Sequence, residues 1–221
     1  MAQVKKVKST CVPVEFVTLG MLGNNVYIIS DGEATIVVDP SCKADEILKA
    51  VGNRTVDAIV LTHRHSDHVG AAKELRDKTG ATVIASAIDA PIIEGKKQLP
   101  RDDMRTEPCP VDHVVSNGDI VKIGSMPWKV LVTPGHTEGS MCLFLDPQFG
   151  TNPAGDPVLI SGDTLFCGSI GRTDFQGGDM NAMRRSLKRL AALPDETVVL
   201  PGHEALTKIG NERKRVFAFY A

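Results

Sequence analysis

Four apolar runs in this chain each end in a short polar motif, although the motifs lie far apart in the sequence. The run AIVLTH (58–63) leads into HRHSDH, and three later runs end in TPGH (133–136), SGD (161–163) and PGH (201–203). Apolar runs that stop at turn residues are typical of buried strands. Layered folds gather the side chains at strand ends onto one rim. The four motifs are therefore predicted to meet at one edge of a sheet-based fold.

The segments around these runs alternate between strand and helix patterns. Apolar spacing predicts helices over 43–51, 70–80 and 180–193. The polar, proline-bearing stretch 91–110 is predicted to be a loop or an insertion. Strands are predicted at 15–19, 25–30, 34–39, 58–63, 82–86, 119–123, 128–136, 140–146, 158–163 and 197–203. This order predicts one domain built as a two-sheet sandwich with helices outside, with a hint of duplication between its halves.

Composition and net charge limit the kinds of binding partner to be expected for this protein. Apolar residues make up 42% of the 221 positions and the formal net charge is −2, as in an ordinary globular protein. This balance gives no general attraction to nucleic acid or to an anionic membrane. No stretch approaches the roughly 20 apolar residues of a membrane span. We therefore predict no nucleic-acid partner and no membrane partner, and the oligomeric state is left open.

Cysteine usage indicates the redox environment. The five cysteines are odd in number and widely spaced, and no C-x-x-C motif is present. Neither a zinc ribbon nor a redox pair is therefore suggested. Because disulfides follow oxidising compartments, the pattern predicts reduced, mostly structural thiols in a cytoplasmic protein.

The motif HRHSDH is the densest group of metal-binding side chains in the chain. His63 and His65 are two positions apart, so at a strand end both imidazoles point the same way and can bind one metal. Asp67 and His68 lie on the turn into the next helix and are displaced enough to serve a second metal. The motif therefore predicts one half of a binuclear metal site.

The other half must come from elsewhere, because a catalytic zinc usually takes three protein ligands and a water. Three candidates each follow an apolar strand: His136 in TPGHTEGS, Asp163 in SGDTLF and His203 in LPGHEA. An aspartate is the natural bridge, since its two carboxylate oxygens can each bind one ion. His113, in VDHVV, matches no metal motif and is predicted to be structural.

In order and spacing, HRHSDH, TPGHTEGS, GDTLF and LPGH resemble the metallo-β-lactamase superfamily of hydrolases. The longer string GDTLFCGSIGRTDFQGGDM is most similar to the single-domain glyoxalase II-like branch. The resemblance implies an α+β fold, an αββα sandwich of two similar halves with the metal site at one edge of the sheets. It also implies two groups of three ligands and a bridge: His63, His65 and His136 for the first ion, Asp67, His68 and His203 for the second, and Asp163 between them.

The resemblance implies a binuclear metallohydrolase that cleaves S-lactoylglutathione or a related hydroxyacyl thioester. The cofactors would be two divalent ions, zinc first, with iron or manganese as alternatives. Two such ions supply a metal-bound hydroxide near neutral pH, because metal lowers the pKa of water to about 7. Asp67 and Asp163 are the predicted catalytic carboxylates. Arg172 is a candidate contact for an anionic group of this small-molecule substrate, or else a structural ion pair.

Other readings of the same residues remain open. Residues 1–221 are expected to form a single domain without the C-terminal helical extension that helps two-domain glyoxalase II enzymes to hold glutathione. GRTDFQ also resembles the persulfide dioxygenases of the superfamily, in which His63, His136 and Asp163 would hold one iron. A non-catalytic metal-binding protein is the alternative from another class, although all seven ligand positions are intact.

Overall fold

Two mixed β-sheets form the centre of the fold. The computed structural model describes residues 3–99 and 106–221, and within these ranges it contains thirteen strands. The first sheet holds, in spatial order, β1 (Lys5–Val7), β2 (Val14–Leu19), β3 (Asn24–Ser30), β4 (Thr35–Val38), β5 (Ala58–Val60), β6 (Thr82–Ser86) and β7 (His113–Val115). The second sheet holds β8 (Ile120–Ile123), β9 (Met126–Val132), β10 (Met141–Leu145), β11 (Val158–Gly162), β12 (Val198–Pro201) and β13 (Thr207–Lys208), also in spatial order.

Helices cover the outer faces of both sheets. They are α1 (Ala44–Val51), α2 (Ser66–Val69), α3 (Ala72–Thr79), α4 (Ala90–Ile93), α5 (Met180–Leu190), α6 (Ile209–Glu212) and α7 (Ala218–Tyr220). A 3₁₀ turn follows β10, and a π-helical turn joins α6 to α7. The lone long amphipathic helix of the second half, α5, starts at Asp179, whose side chain accepts a hydrogen bond from the Ala182 N–H.

The alternation of side chains along β3 shows how the layers form. Tyr27 and Ile29 face the core between the two sheets, where they join Trp128 of β9. Val26 and Ile28 point the other way, into a second apolar cluster under α1 and α3. A third cluster packs α5 and the C-terminal helices against the second sheet. The predicted αββα sandwich is therefore confirmed.

Strand direction brings the polar motifs together. Strands β4 to β7 run parallel to one another, and β11 runs parallel to β12. Their carboxyl ends lie at one edge, where the two sheets are joined by backbone hydrogen bonds. The Met141 N–H donates to the Thr62 carbonyl at 3.0 Å, and the Asn25 N–H donates to the Gly202 carbonyl at 2.8 Å. These bonds fix the distance between motifs that are far apart in sequence.

Most predicted elements are found, with shifted ends. The helix predicted over 70–80 begins at Ala72, because the preceding one-turn α2 already contains the end of the HRHSDH motif. The predicted loop 91–110 starts inside α4, and residues 100–105 lie outside the described part of the chain.

All five cysteines have free thiols. No helix in 3–99 or 106–221 has the length and apolar character needed to cross a membrane.

Candidate metal centre

Three histidines from two motifs form the first group of donors. His63 and His65 follow β5, and His136 follows β9 on the opposite sheet. The Nδ1 atom of His65 lies 2.8 Å from the Nε2 atom of His136. The Nε2 atom of His63 is buried and has no hydrogen-bond partner among the described residues. A buried nitrogen without a partner is costly, so this atom fits a metal ligand better than a structural side chain. One atom from each residue can reach a common ion.

A carboxylate and two histidines form the second group. Asp67 and His68 lie on α2, and His203 follows β12. The Nε2 atoms of His68 and His203 are 3.2 Å apart, and Asp67 Oδ2 lies 3.5 Å from the first and 3.3 Å from the second. This oxygen and these nitrogens can also reach a common ion. The set of two imidazoles and one carboxylate suits zinc and several other transition metals.

Asp163, at the end of β11, lies between the two groups. Its Oδ1 atom is 3.4 Å from His68 Nε2. Its Oδ2 atom is 3.5 Å from both His136 Nε2 and His203 Nε2. One carboxylate thus faces nitrogens of both groups, as a bridging ligand would. The neighbouring glycine of the PGH motif makes room for it, since a Cβ on Gly202 would lie 2.3 Å from Asp163 Oδ1.

Hydrogen bonds to the opposite ring nitrogens orient the histidines toward the interior of the cluster. His136 Nδ1 lies 2.7 Å from the Arg172 carbonyl, and His203 Nδ1 lies 3.1 Å from the Leu22 carbonyl. Because a carbonyl can only accept, each Nδ1 must carry a proton, so Nε2 is the atom that each ring offers to an ion. This pattern is typical of metal-binding histidines, whose second nitrogen donates to a carbonyl or a carboxylate.

Asp39 provides the acceptor that orients the ring of His68. It was not predicted as a site residue. Its Oδ2 atom lies 3.0 Å from His68 Nδ1 and accepts a 2.7 Å bond from the Thr62 hydroxyl. Its Oδ1 atom accepts a 2.8 Å bond from the Thr62 N–H. Asp39 therefore ties the end of β4 to the start of the HRHSDH motif. The available signal was its place at the end of the predicted strand ATIVVD, like the other polar strand-end residues.

A second hydrogen-bond network joins the two loops that carry the first group of donors. None of its residues was predicted from the sequence to belong to the site. Arg64 stands between His63 and His65, and its Nη1 atom donates to Asp89 Oδ1 at 2.7 Å. Asp89 Oδ2 accepts from the Arg64 N–H at 3.1 Å and from the Thr137 hydroxyl at 2.9 Å. Arg64 and Asp89 are almost fully buried. The carboxylate of Asp89 thus connects the histidine motif of β5 to the loop after His136.

Burial decides the protonation of the first group. Burial, together with the neighbouring imidazoles, lowers the pKa of His63 far below the ordinary value and lowers the pKa of His65 to about 3. Burial also lowers the pKa of His136. All three imidazoles are therefore neutral at pH 7, which is the form that binds metal.

Carboxylates decide the protonation of the second group. Burial opposes protonation of His68, but Asp163 and Asp39 raise its pKa well above the ordinary value. Burial is likewise outweighed at His203, where Asp163 and Asp67 raise the pKa to about 10. Burial also disfavours the ionised form of Asp163, but His68 and His203 hold its pKa well below the usual range. Without metal, this half of the cluster holds protons that an ion would have to displace.

A pocket of about 690 Å³ opens directly over the cluster. Its apolar wall includes Leu22, Phe166, Ile170 and Phe175. The predicted substrate contact, Arg172, also lines this pocket. Its guanidinium is paired with Asp174 at 2.7 Å and stacks on the Phe175 ring, with its carbon 4.1 Å from the ring centroid. The bonds to Asp174 use Nε and Nη2, so the Nη1 donors of this arginine are left for a substrate anion.

The structure thus brings the seven predicted ligands into one cluster and places Arg172 at its rim. His113, predicted to be structural, lies exposed on β7 and outside the groups of potential metal ligands found among the described residues.

Comparison with known proteins agrees with this arrangement. The family model of the metallo-beta-lactamase superfamily matches residues 19–203. The chain belongs to this superfamily. Its members are mostly metal-dependent hydrolases, and the cluster described above provides donors that could bind metal ions. The match covers the four strand-end motifs and the strands from β3 to β12.

Individual members of the superfamily resemble the chain over most of its length. A hydroxyacylglutathione hydrolase of Cereibacter sphaeroides is 36% identical over 198 residues, which are 87% of this chain and 67% of that protein. The crystal structure of the BLEG-1 B3 metallo-beta-lactamase has a TM-score of 0.79 at 32% identity and covers 92% of this chain and 98% of its own. The structure of TTHA1623 in a di-iron-bound form has a TM-score of 0.70 at 33% identity and covers 90% of this chain and 97% of its own.

Proposed function

We propose that this chain is a binuclear metallohydrolase that cleaves a hydroxyacyl thioester of the S-lactoylglutathione type. The observation that carries the proposal is the position of Asp163, whose two oxygens lie within 3.5 Å of nitrogens from both three-residue groups. A single ion bound by the first group would leave the charged second group, with its carboxylate and its imidazoles of raised pKa, without a metal. Two ions give every donor of the cluster a partner.

Bound ions would supply a hydroxide nucleophile near neutral pH, because they lower the pKa of water to about 7. The chain's own residues orient the site around that chemistry. The Leu22 and Arg172 carbonyls fix the tautomers of His203 and His136. The apolar wall of the pocket excludes bulk water from the reacting carbonyl, which strengthens electrostatic interactions with it.

A thioester fits this site for two reasons. The relative from Cereibacter sphaeroides is a hydroxyacylglutathione hydrolase, and its match extends over 87% of this chain. The leaving thiol of a thioester has a pKa of about 8.5, so its departure needs little help from a general acid. The motifs contain no obvious residue for that role beyond the predicted ligands. Asp67 and Asp163 are the proposed catalytic carboxylates, and Arg172 is the proposed contact for a substrate anion.

The alternative is a mononuclear iron persulfide dioxygenase that uses His63, His136 and Asp163. In that case His203 would bind no metal. The hydrolase is favoured because His203 Nε2 lies within 3.3 Å of both His68 Nε2 and Asp67 Oδ2, which gives the second group a complete set of donors.

The test is release of free thiol from S-lactoylglutathione by purified protein of known metal content. We expect release that is lost on chelation and restored by metal. His203→Ala should abolish it, whereas His113→Ala, the same change at an exposed histidine away from the site, should not. Oxygen uptake with glutathione persulfide that survives His203→Ala would support the dioxygenase instead. Metal bound without either activity would favour a non-catalytic role.

Several attributes remain proposals that the same preparation can check. Zinc is the proposed metal, with iron and manganese as alternatives, and elemental analysis of the isolated protein decides among them. The iron of the TTHA1623 structure supports iron as the second choice. A single domain over 1–221 acting on a small molecule, without nucleic-acid or membrane partners, is proposed as well. The five free thiols support a cytoplasmic location.

A further inference from the structure

Asn24 is the first residue of β3 and lies at the second metal group. The preceding turn, Gly20–Gly23, brings the chain back from β2 at the edge of the sheet where the motifs meet. The side chain of Asn24 is buried, with 2% of the residue exposed. A buried amide must find hydrogen-bond partners, and those of Asn24 are metal-binding residues.

The amide nitrogen of Asn24 lies close to three atoms that could bind a single ion. It donates to Asp67 Oδ2 at 2.9 Å. It is 3.5 Å from His68 Nε2 and 3.4 Å from His203 Nε2. These three atoms form a triangle with sides of 3.2 to 3.5 Å. The amide therefore lies against one face of the second metal group.

Neighbouring residues of this turn and of β3 hold the loop of His203 independently. The Leu22 carbonyl accepts from His203 Nδ1 at 3.1 Å. The Asn25 amide donates to the carbonyls of Pro201 and Glu204, at 3.1 and 3.0 Å. The turn thus fixes the loop that carries His203, while Asn24 reaches past it to Asp67. The first group takes its corresponding contacts from other elements, such as the Arg172 carbonyl at His136.

We propose that Asn24 is a positioning residue for the second metal ion. Its N–H donor holds the Asp67 carboxylate in the orientation in which Oδ2 faces the two imidazoles. A neutral donor does this without adding a charge to a group that already contains a carboxylate and the bridging Asp163. The inference rests on the proposed function only in requiring that an ion occupies the second group.

The role predicts an effect confined to one of two metal ions. Removing a hydrogen-bonding partner of a metal ligand typically weakens metal binding by roughly 10- to 100-fold. Asn24→Ala should therefore weaken binding of the ion at Asp67, His68 and His203 by about that factor. Binding of the other ion should stay close to that of the wild type, because His63, His65 and His136 keep their contacts. A merely structural role would weaken both steps or lower only thermal stability.

The experiment is a zinc titration of metal-free protein against a competing chelator, which resolves the two binding steps without any substrate. Asn24→Leu accompanies the alanine variant because it keeps most of the volume and removes the donor. Asn53→Ala, at an exposed asparagine after α1, is the matched control and should bind both ions as the wild type does. Circular dichroism confirms that each variant is folded, and the cobalt-substituted proteins should show a changed visible spectrum for the second ion alone.

Equal binding of both ions by the Asn24 variants and the wild type would overturn the assignment, as would an equal loss at both steps. A wild-type protein that binds only one ion would overturn both this inference and the proposed function. A wild-type protein that binds two ions but releases no thiol would overturn the proposed function alone. In that case selective loss of the second ion in both variants would still support the role of Asn24.

Discussion

The buried ion pair between Arg64 and Asp89 provides a quantitative test of how the first donor group is held. Both side chains are 1% exposed, and their closest atoms are 2.7 Å apart. Arg64 also donates to the Gln176 carbonyl at 2.8 Å, and Asp89 accepts from Thr137. The change Arg64→Met keeps much of the side-chain volume and removes the charge. It leaves the Asp89 carboxylate buried beside uncharged donors only.

Breaking a buried ion pair by removing one partner costs about 3–5 kcal/mol, because an uncompensated charge stays in the interior. The free energy of unfolding of a whole protein is about 5–15 kcal/mol. For a chain of this length each kcal/mol shifts the Tm by about 2–4 °C. We therefore expect Arg64→Met to lower the Tm of the metal-free protein by about 6–20 °C.

The assay is thermal or urea unfolding of metal-free protein followed by circular dichroism. The matched control is Arg172→Met, because the Arg172–Asp174 pair has the same 2.7 Å separation but side chains that are 64% and 66% exposed. Exposed pairs contribute little, so this variant should unfold at the midpoint of the wild type. Equal shifts in the two variants, or no shift in Arg64→Met, would refute the argument from burial.

Three further changes test other parts of the site. Asp163→Ala should reduce the content of both metals and abolish turnover while the fold survives. Full metal content in elemental analysis of this variant would contradict the bridging role of Asp163. Gly171→Ala should lower both stability and metal content, since its Cβ would lie 1.8 Å from the Asp163 carbonyl oxygen; a stable variant with normal metal content would disprove this. Metal affinity should rise with pH, because His203 (pKa about 10) and His68 (pKa raised) hold protons at pH 7 that metal displaces. Calorimetry in buffers of different ionisation enthalpy should detect about two protons released per protein near pH 7 from these histidines, in addition to any proton lost by a metal-bound water, and zero release would contradict the protonation described.

The sequence predicted the layers well because most of the central strands are buried on both faces. Runs such as AIVL and VLIS are continuous and apolar, and they were found as β5 and β11. Strands β1, β7 and β13 were missed, since they are only two or three residues long and β1 and β7 are largely exposed. Short strands of this kind are specified by their neighbours in the sheet, and no hydrophobic period marks them.

The metal ligands could be predicted because histidine and aspartate recur in motifs with fixed spacing. The residues that orient them could not be predicted in the same way. Asn24, Asp39 and Asp89 are single polar residues at strand or turn positions, where asparagine and aspartate are common for local reasons. Their partners are 23 to 179 residues away in sequence. Only the packing of the two sheets brings these atoms within hydrogen-bonding distance.

The most direct test of the binuclear centre is a crystal structure of the isolated protein with anomalous scattering recorded at the absorption edge of its metal. We expect two peaks, one contacted by His63, His65 and His136 and the other by Asp67, His68 and His203, with Asp163 contacting both. A single peak at His63, His136 and Asp163, with His203 contacting no metal, would contradict the binuclear account.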